Sequence, residues 1–396
     1  MKHSLFAILA LLTVMSSPAQ QALNGGSKIV SPQIHPDNTV TFRILAPKAT
    51  EVYLTGDFMV GQPDVTPSGT INLTKADNGM WEYTTPVALS PELYSYTFFV
   101  DSLRTMDPSN VYAIRDIATV TNVFLIDSVG SKAHLYRVND VPHGTVSKVW
   151  YNSPGLDMNR RLTIYTPPGY EDSDRSYPVL YLLHGSGGDE EAWPSLGRAT
   201  QILDNLIAQG QAEPMIVVMP NGNAPQEAAP GESALGFVVP TAGVSRMNRG
   251  SIELSFPDVV SFVDTHYRTI ADKQHRAIAG LSMGGFHSMH ISKQYPDMFD
   301  YIGLFSAAIW PPENSDSPVY QDMEGKLRTQ FEKKPALYWI AIGNSDFLYD
   351  ANKQYRTLLD ANNYPYTYVE SNDGHIWRNW RIYLSDFIPL LFKNNQ

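Results

Sequence analysis

The stretch Ala277-Ile278-Ala279-Gly280-Leu281-Ser282-Met283-Gly284-Gly285 constrains this chain more than any other. An apolar run ends in a Gly-x-Ser-x-Gly pentapeptide, Gly280 to Gly284. Helix-compatible spacing then resumes at Phe286-His287-Ser288-Met289-His290-Ile291. That order fits a buried strand, a forced turn and a helix start. Small residues flank the serine because the backbones before and after such a turn approach closely. The Ser282 hydroxyl then projects from a sheet edge as a nucleophile. The backbone N–H of Met283 stands at a helix N-terminus, where it can donate to a developing oxyanion.

A serine nucleophile needs a histidine base and an acid that orients it. After such an elbow the expected chain order is Ser, then Asp or Glu, then His. Ile340-Ala341-Ile342-Gly343-Asn344-Ser345-Asp346 places Asp346 just past a strand, and Tyr366-Thr367-Tyr368-Val369-Glu370 is followed by a loop that reaches His375. Asp350 and Asp373 compete for the acid. Asp350 falls in the following helix, and Asp373 is so near His375 that it needs a special loop shape; both suit solvated carboxylates better. Gly185-Ser186-Gly187-Gly188 follows a strand ending at Leu183, so the backbone N–H of Ser186, with Gly187 as the near alternative, is the expected second oxyanion donor. His184 reads as a buried hydrogen-bonding post, and His287 and His290 as packed or surface residues. His143 has no partner that the sequence identifies. No His/Asp/Glu spacing resembles a metal site, and no cofactor is expected.

Residues 26–128 read as all-β. Thr39 to Leu45, Glu51 to Thr55, Trp81 to Thr84 and Tyr94 to Asp101 alternate, with turn residues between them, as in a sandwich. Residues 129–142 read as a linker. From 143 to 396 the near-continuous apolar runs Val179 to Leu183, Met215 to Met219, Tyr301 to Phe305 and Ala336 to Ile342 read as strands buried on both faces. Helical patterns alternate with them, which implies a parallel sheet covered on both sides. Every catalytic candidate lies beyond residue 180, so the sandwich is expected to supply no triad member.

The net charge of −11 argues against nucleic acid and against an anionic membrane surface. Residues 1–19 read as a signal peptide: Lys2 and His3, an apolar run from Leu5 to Met15 too short to span a bilayer, then Ser17-Pro18-Ala19. Secretion or a periplasmic location is the expectation, and no later stretch is apolar and long enough for a membrane span. The absence of cysteine from these 396 residues excludes disulfides, thiolate metal sites and a cysteine nucleophile. For pocket walls the sequence offers Gly187, Asn221 at a strand end, Trp310 and Trp377, with Trp193 nearby and Trp380 expected in the core. The stretch from Ala224 to Gly250 has no clear period and could form a lid or substrate loop.

Five segments together resemble the esterase-D-like branch of the α/β-hydrolases, which includes carbohydrate esterase family one with its feruloyl and acetylxylan esterases. They are Tyr165-Thr166-Pro167-Pro168-Gly169-Tyr170, Tyr181 to Gly188, Val217 to Gly222, Gly280 to Gly285, and Gly374-His375-Ile376-Trp377. The resemblance implies Ser282, Asp346 and His375 as triad, in agreement with their placement above. Phe42 to Pro47, Val52 to Phe58, Gly79 to Glu82, Tyr94 to Tyr96 and Asp107 to Asn110 resemble the immunoglobulin-like early-set sandwich of family 48 carbohydrate-binding modules. In that pattern Trp81 falls at a core position. The pairing implies a secreted feruloyl esterase acting on feruloylated or acetylated xylan oligosaccharide or polysaccharide. The alternatives are an acetylxylan esterase, a siderophore esterase and, of a different class, a non-catalytic glycan-binding protein.

Overall fold

The computed structural model describes residues 29–237, 239–240, 249–312 and 315–393. The expected signal peptide lies outside the described residues, as does part of the 224–250 stretch.

The N-terminal part is a two-sheet antiparallel sandwich. One sheet runs Gln33–Ile34, Val40–Leu45, Met80–Thr84, Thr74–Lys75. The other runs Ile71–Asn72, Val52–Gly56, Glu92–Val100, Thr119–Ile126, Ala113–Asp116, with Leu103–Thr105 also on Glu92–Val100. Period-two alternation turns Val40, Phe42 and Ile44 inward onto Phe58, Tyr96, Phe98 and Phe124. Trp81 is buried, and its indole donates to the Ala46 carbonyl at 3.0 Å.

The C-terminal part is an eight-stranded sheet in the order Thr145–Ser153, Met158–Thr166, Ile216–Pro220, Val179–Leu183, Arg276–Leu281, Tyr301–Phe305, Leu337–Gly343, Thr367–Ser371. The first two pairings are antiparallel and the rest parallel. Alternate residues of each central strand enter opposite cores. Leu180, Leu182, Ala277 and Ala279 face one, and Val179, Tyr181, Leu183 and Ile278 the other. Burial on both faces explains the unbroken apolar runs. Strand order reverses around Val179–Leu183, whose neighbours are Ile216–Pro220 and Arg276–Leu281. The loops leaving this switch point therefore flank a crevice at the carboxyl edge of the sheet, where open α/β sheets bind ligands.

Residues 129–142 are not the free tether their composition suggests. Lys132–Tyr136 forms a 3-10 turn whose Ala133, Leu135 and Tyr136 enter the same core as the sheet. The Asn205 amide donates to the carbonyls of Leu135 and Arg137 at 2.9 and 3.0 Å. Leu93 of the sandwich joins that core. Beside it the buried Arg381 guanidinium reaches across to Glu92, with Nη2 to Oε1 at 2.9 Å, and to the Leu93 carbonyl at 3.0 Å.

Candidate active site

Ser282 sits between Arg276–Leu281 and the helix Met283–Gln294 with φ 53° and ψ −114°. The turn is tight enough to require the glycines. A Cβ on Gly280 would lie 2.4 Å from the Gly284 carbonyl carbon, and one on Gly284 would lie 2.4 Å from the Leu183 carbonyl oxygen. The Ser282 N–H donates to the Phe305 carbonyl at 2.9 Å, which pins the turn to the neighbouring strand. Met283 is the first residue of the helix, where an N–H has no intrahelical acceptor.

Strand register brings the other candidates to the serine. Leu183 pairs with Gly280, so the loop that follows Leu183 runs beside Ser282. A Cβ on Gly185 would lie 2.4 Å from Leu281 Cδ1 and 3.4 Å from Ser282 Cβ. Gly343 pairs with Ser371, so the loops carrying Asp346 and His375 are adjacent. His375 Nδ1 lies 2.9 and 3.0 Å from the two Asp346 oxygens. Burial pushes the Asp346 carboxyl up. Hydrogen bonds from His375 and the Leu348 N–H, with the His375 charge, outweigh burial and hold it below the ordinary carboxylate value. Asp373 instead faces Arg378, and Asp350 lies in the first turn of the helix Tyr349–Ala361.

His184 is a post in this loop. The Gly222 N–H donates to its Nε2 at 2.7 Å, so the proton sits on Nδ1, 2.7 Å from the Gly185 carbonyl. Complete burial pushes its pKa down to about 4, which keeps the ring neutral. His287 is fully buried and contacts Glu253 at 2.8 Å, His290 is buried against Phe286 and Tyr320, and His143 meets Asp204 at 2.9 Å. None of the three lines the cavity described next.

Ser282, His375, Gly185, Ser186 and Trp377 open onto one cavity of about 930 Å³. Trp377 packs edge-on between Trp193 and Trp380. Three expected wall residues do not line this cavity: Gly187, which the Ile117 side chain covers, Asn221 and Trp310. The buried Asn221 donates its amide to Glu190 at 2.9 Å, because the interior carboxylate there needs a donor. Trp310 packs on Tyr355 away from the opening. Trp380 is buried in the core as expected, and its ring also borders the cavity, 4.9 Å from the His375 ring. Phe347, unmentioned by the sequence reasoning, is 76% exposed and lies 4.5 Å from that ring. Its position beside the acid was the available signal. From the 224–250 stretch, Ala229, Pro230 and Glu232 line the cavity.

The sandwich, which supplies none of Ser282, Asp346 and His375, builds the opposite wall beside these residues of the 224–250 stretch. Ala113 to Ile117, Thr121 and Val123, together with Asp57 and Leu93 to Ser95, face the same cavity. Ala113–Asp116 and Thr119–Ile126 form a hairpin whose two-residue turn is Ile117-Ala118. Ile117 has φ 51°, a position such turns give to Gly, Asn or Asp. For a β-branched residue the left-handed region costs about 1–2 kcal/mol. Its side chain fills the space over Gly187: a Cβ there would lie 2.8 Å from Ile117 Cγ1. Burial pushes the Asp116 carboxyl up, against the pull of the Arg115 charge and a hydrogen bond with Trp377.

The sheet order and the elbow define an α/β-hydrolase carrying an N-terminal β-sandwich, and its site is that of a serine ester hydrolase. Residues 153–390 match the Esterase family, and the chain belongs to that family. Residues 30–113 match carbohydrate-binding module 48, the isoamylase N-terminal domain. Over 91% of its length the chain is 28% identical to an endo-1,4-beta-xylanase/feruloyl esterase of Xylanibacter ruminicola, of which it covers 46%. It is 24% identical over 63% of its length to endo-1,4-beta-xylanase Y of Acetivibrio thermocellus, covering 23% of that protein. The chain thus spans less than half the length of these two curated relatives. A ferulic acid esterase of Anaeromyces mucronatus, solved in complex with ferulic acid, superposes with a TM-score of 0.55 at 26% identity, covering 66% of this chain and 95% of that one. The enterobactin esterase of Shigella flexneri superposes with a TM-score of 0.61 over 88% of this chain and 92% of its own, at 15% identity, a likeness of fold alone.

Proposed function

We propose that this chain is a secreted serine esterase that releases hydroxycinnamic acids from feruloylated arabinoxylan. The observation that carries the reading is the convergence of an elbow serine and a His375–Asp346 pair on one aromatic-walled cavity. Relatives named as feruloyl and ferulic acid esterases support the acyl group. The apolar leader motivates secretion.

In this reading Asp346 holds the His375 proton on Nδ1 and leaves Nε2 as the base for Ser282. Ser282 Oγ attacks the ester carbonyl as His375 takes its proton. The oxyanion is held by the backbone N–H groups of Met283 and Ser186, with Gly187 as the near alternative. His375 then protonates the departing sugar oxygen, and water cleaves the acyl-enzyme by the same route in reverse. Trp377, Trp380 and Phe347 offer flat apolar surface for the aromatic acid, and the volume lies in the range that encloses a small ligand. No step uses a metal or cofactor. Parallel assays on methyl ferulate, methyl sinapate, 4-nitrophenyl acetate and acetylated xylan test the substrate. The highest kcat/KM is expected on a methyl hydroxycinnamate. Exclusive release of acetate would replace the proposal with an acetylxylan esterase.

A further inference from the structure

The hairpin turn of the sandwich bears on the Gly-rich loop through two contacts. Arg115 Nη2 pairs with the buried Asp189, and its Nη1 donates to the Ile117 carbonyl at 3.0 Å, so one guanidinium ties the turn to the loop's end. The Ile117 side chain closes over Gly187, itself at φ 79°. From the other side the loop rests on His184, through the Gly185 carbonyl, and on Leu281. The loop 185–189 is therefore clamped, with the hydrolase below and the sandwich above. Ile117 sits in a backbone conformation that disfavours it, where glycine would relax the turn. Strain of this kind persists where surrounding contacts over-determine it, and it points to work done by the side chain.

We propose that Ile117 and Arg115 of the N-terminal sandwich are positioning residues for ester hydrolysis, because they fix the loop 185–189 in the geometry that presents its N–H groups to the oxyanion. The sandwich is then part of the catalytic device for every ester, including ones too small to reach a glycan-binding surface. This rests on the serine-esterase reading above. It differs from a role in polymer capture, which would leave small-ester turnover untouched.

The test is steady-state hydrolysis of methyl ferulate by the full chain. Ile117→Gly removes the packing over Gly187 and relaxes the turn, two effects of opposite sign, so the variant should remain folded at the assay temperature, which its thermal midpoint checks. Its kcat should fall about tenfold or more, since a displaced oxyanion donor costs up to about 10²–10³ in turnover, while KM stays within about twofold. Ile117→Val keeps Cγ1 and Cγ2, two of the three atoms over Gly187, and loses only Cδ1, so it should retain most of the activity. Arg115→Met should lower kcat as well, with Arg115→Lys recovering part of the loss. If Ile117→Gly and Arg115→Met both turn over methyl ferulate at the wild-type rate while Ser282→Ala is inactive, the positioning role is wrong and the serine-esterase reading stands. A loss confined to KM would make Ile117 a substrate contact and overturn positioning. Activity retained in Ser282→Ala would remove the reading itself.

Discussion

Replacing Arg381 by Met should cost more stability than any other single change at the contact between the two parts. Its guanidinium donates to Glu92 Oε1 from Nε at 3.1 Å and from Nη2 at 2.9 Å, and to the Leu93 and Leu196 carbonyls at 3.0 Å each. Both side chains of the pair are almost completely buried. Removing one partner strands a buried charge, at about 3–5 kcal/mol. Replacing both, as Glu92→Leu/Arg381→Met, removes that term but leaves the Leu93 and Leu196 carbonyls without their donor and the Leu93 N–H without its carboxylate acceptor, at about 1 kcal/mol each. The double variant should therefore lose about 3 kcal/mol, no more than either single variant. Burial already pushes the Glu92 carboxyl up, against the pull of Arg381. Without Arg381 its folded pKa rises further above the unfolded value. The penalty in Arg381→Met is then full at neutral pH and fades as acid neutralises Glu92. Urea unfolding followed by circular dichroism at pH 7 and pH 5 measures this. A penalty below about 1 kcal/mol for Arg381→Met at pH 7, or a double variant less stable than both singles, would refute the reasoning.

Two further outcomes follow from named groups. Asp346→Asn should lower kcat on methyl ferulate by roughly 10⁴-fold, the cost of the same change in a serine protease, while Asp350→Asn and Asp373→Asn stay near wild type; an equal loss at Asp373 would move the acid. Burial, then the Lys326 charge, lowers the Lys293 pKa to about 7 despite Glu253. The unfolded chain therefore holds a proton that the fold sheds between about pH 7 and 10.5, and this group's contribution to stability rises with pH across that window. Lys293→Met should melt above wild type at pH 7 and lose that advantage by pH 10; a pH-independent difference would contradict the assignment.

The sheet was legible because its strands are buried on both faces and so read as unbroken apolar runs. The elbow was legible because close backbone approach leaves only glycine at 280 and 284. Chain order and strand ends then led to Asp346 and His375, whose contact the structure shows. The hairpin at 113–126 was not legible. Its turn is Ile117-Ala118, with none of the Gly, Asn or Asp that mark such turns, because Ile117 is held by contact with Gly187. Residues 129–142 looked like a linker since local composition does not report that Leu135 and Tyr136 enter a core built elsewhere. Asn221 looked like a wall residue because its strand end lies at the right edge of the sheet; its amide is engaged by Glu190, distant in sequence. Each miss involves a partner far along the chain, which periodicity cannot supply.

Covalent trapping gives the sharpest check on Ser282 as the nucleophile. The enzyme would be reacted with an alkyl fluorophosphonate and the modified peptide mapped by tandem mass spectrometry, with methyl ferulate hydrolysis followed in parallel. One phosphonyl group is expected, on Ser282, with activity lost in proportion to labelling. Ser282→Ala should take no label, and its turnover should fall on the order of a millionfold. Hydrolysis surviving full modification of Ser282, or a folded Ser282→Ala protein working near the wild-type rate, would contradict that role.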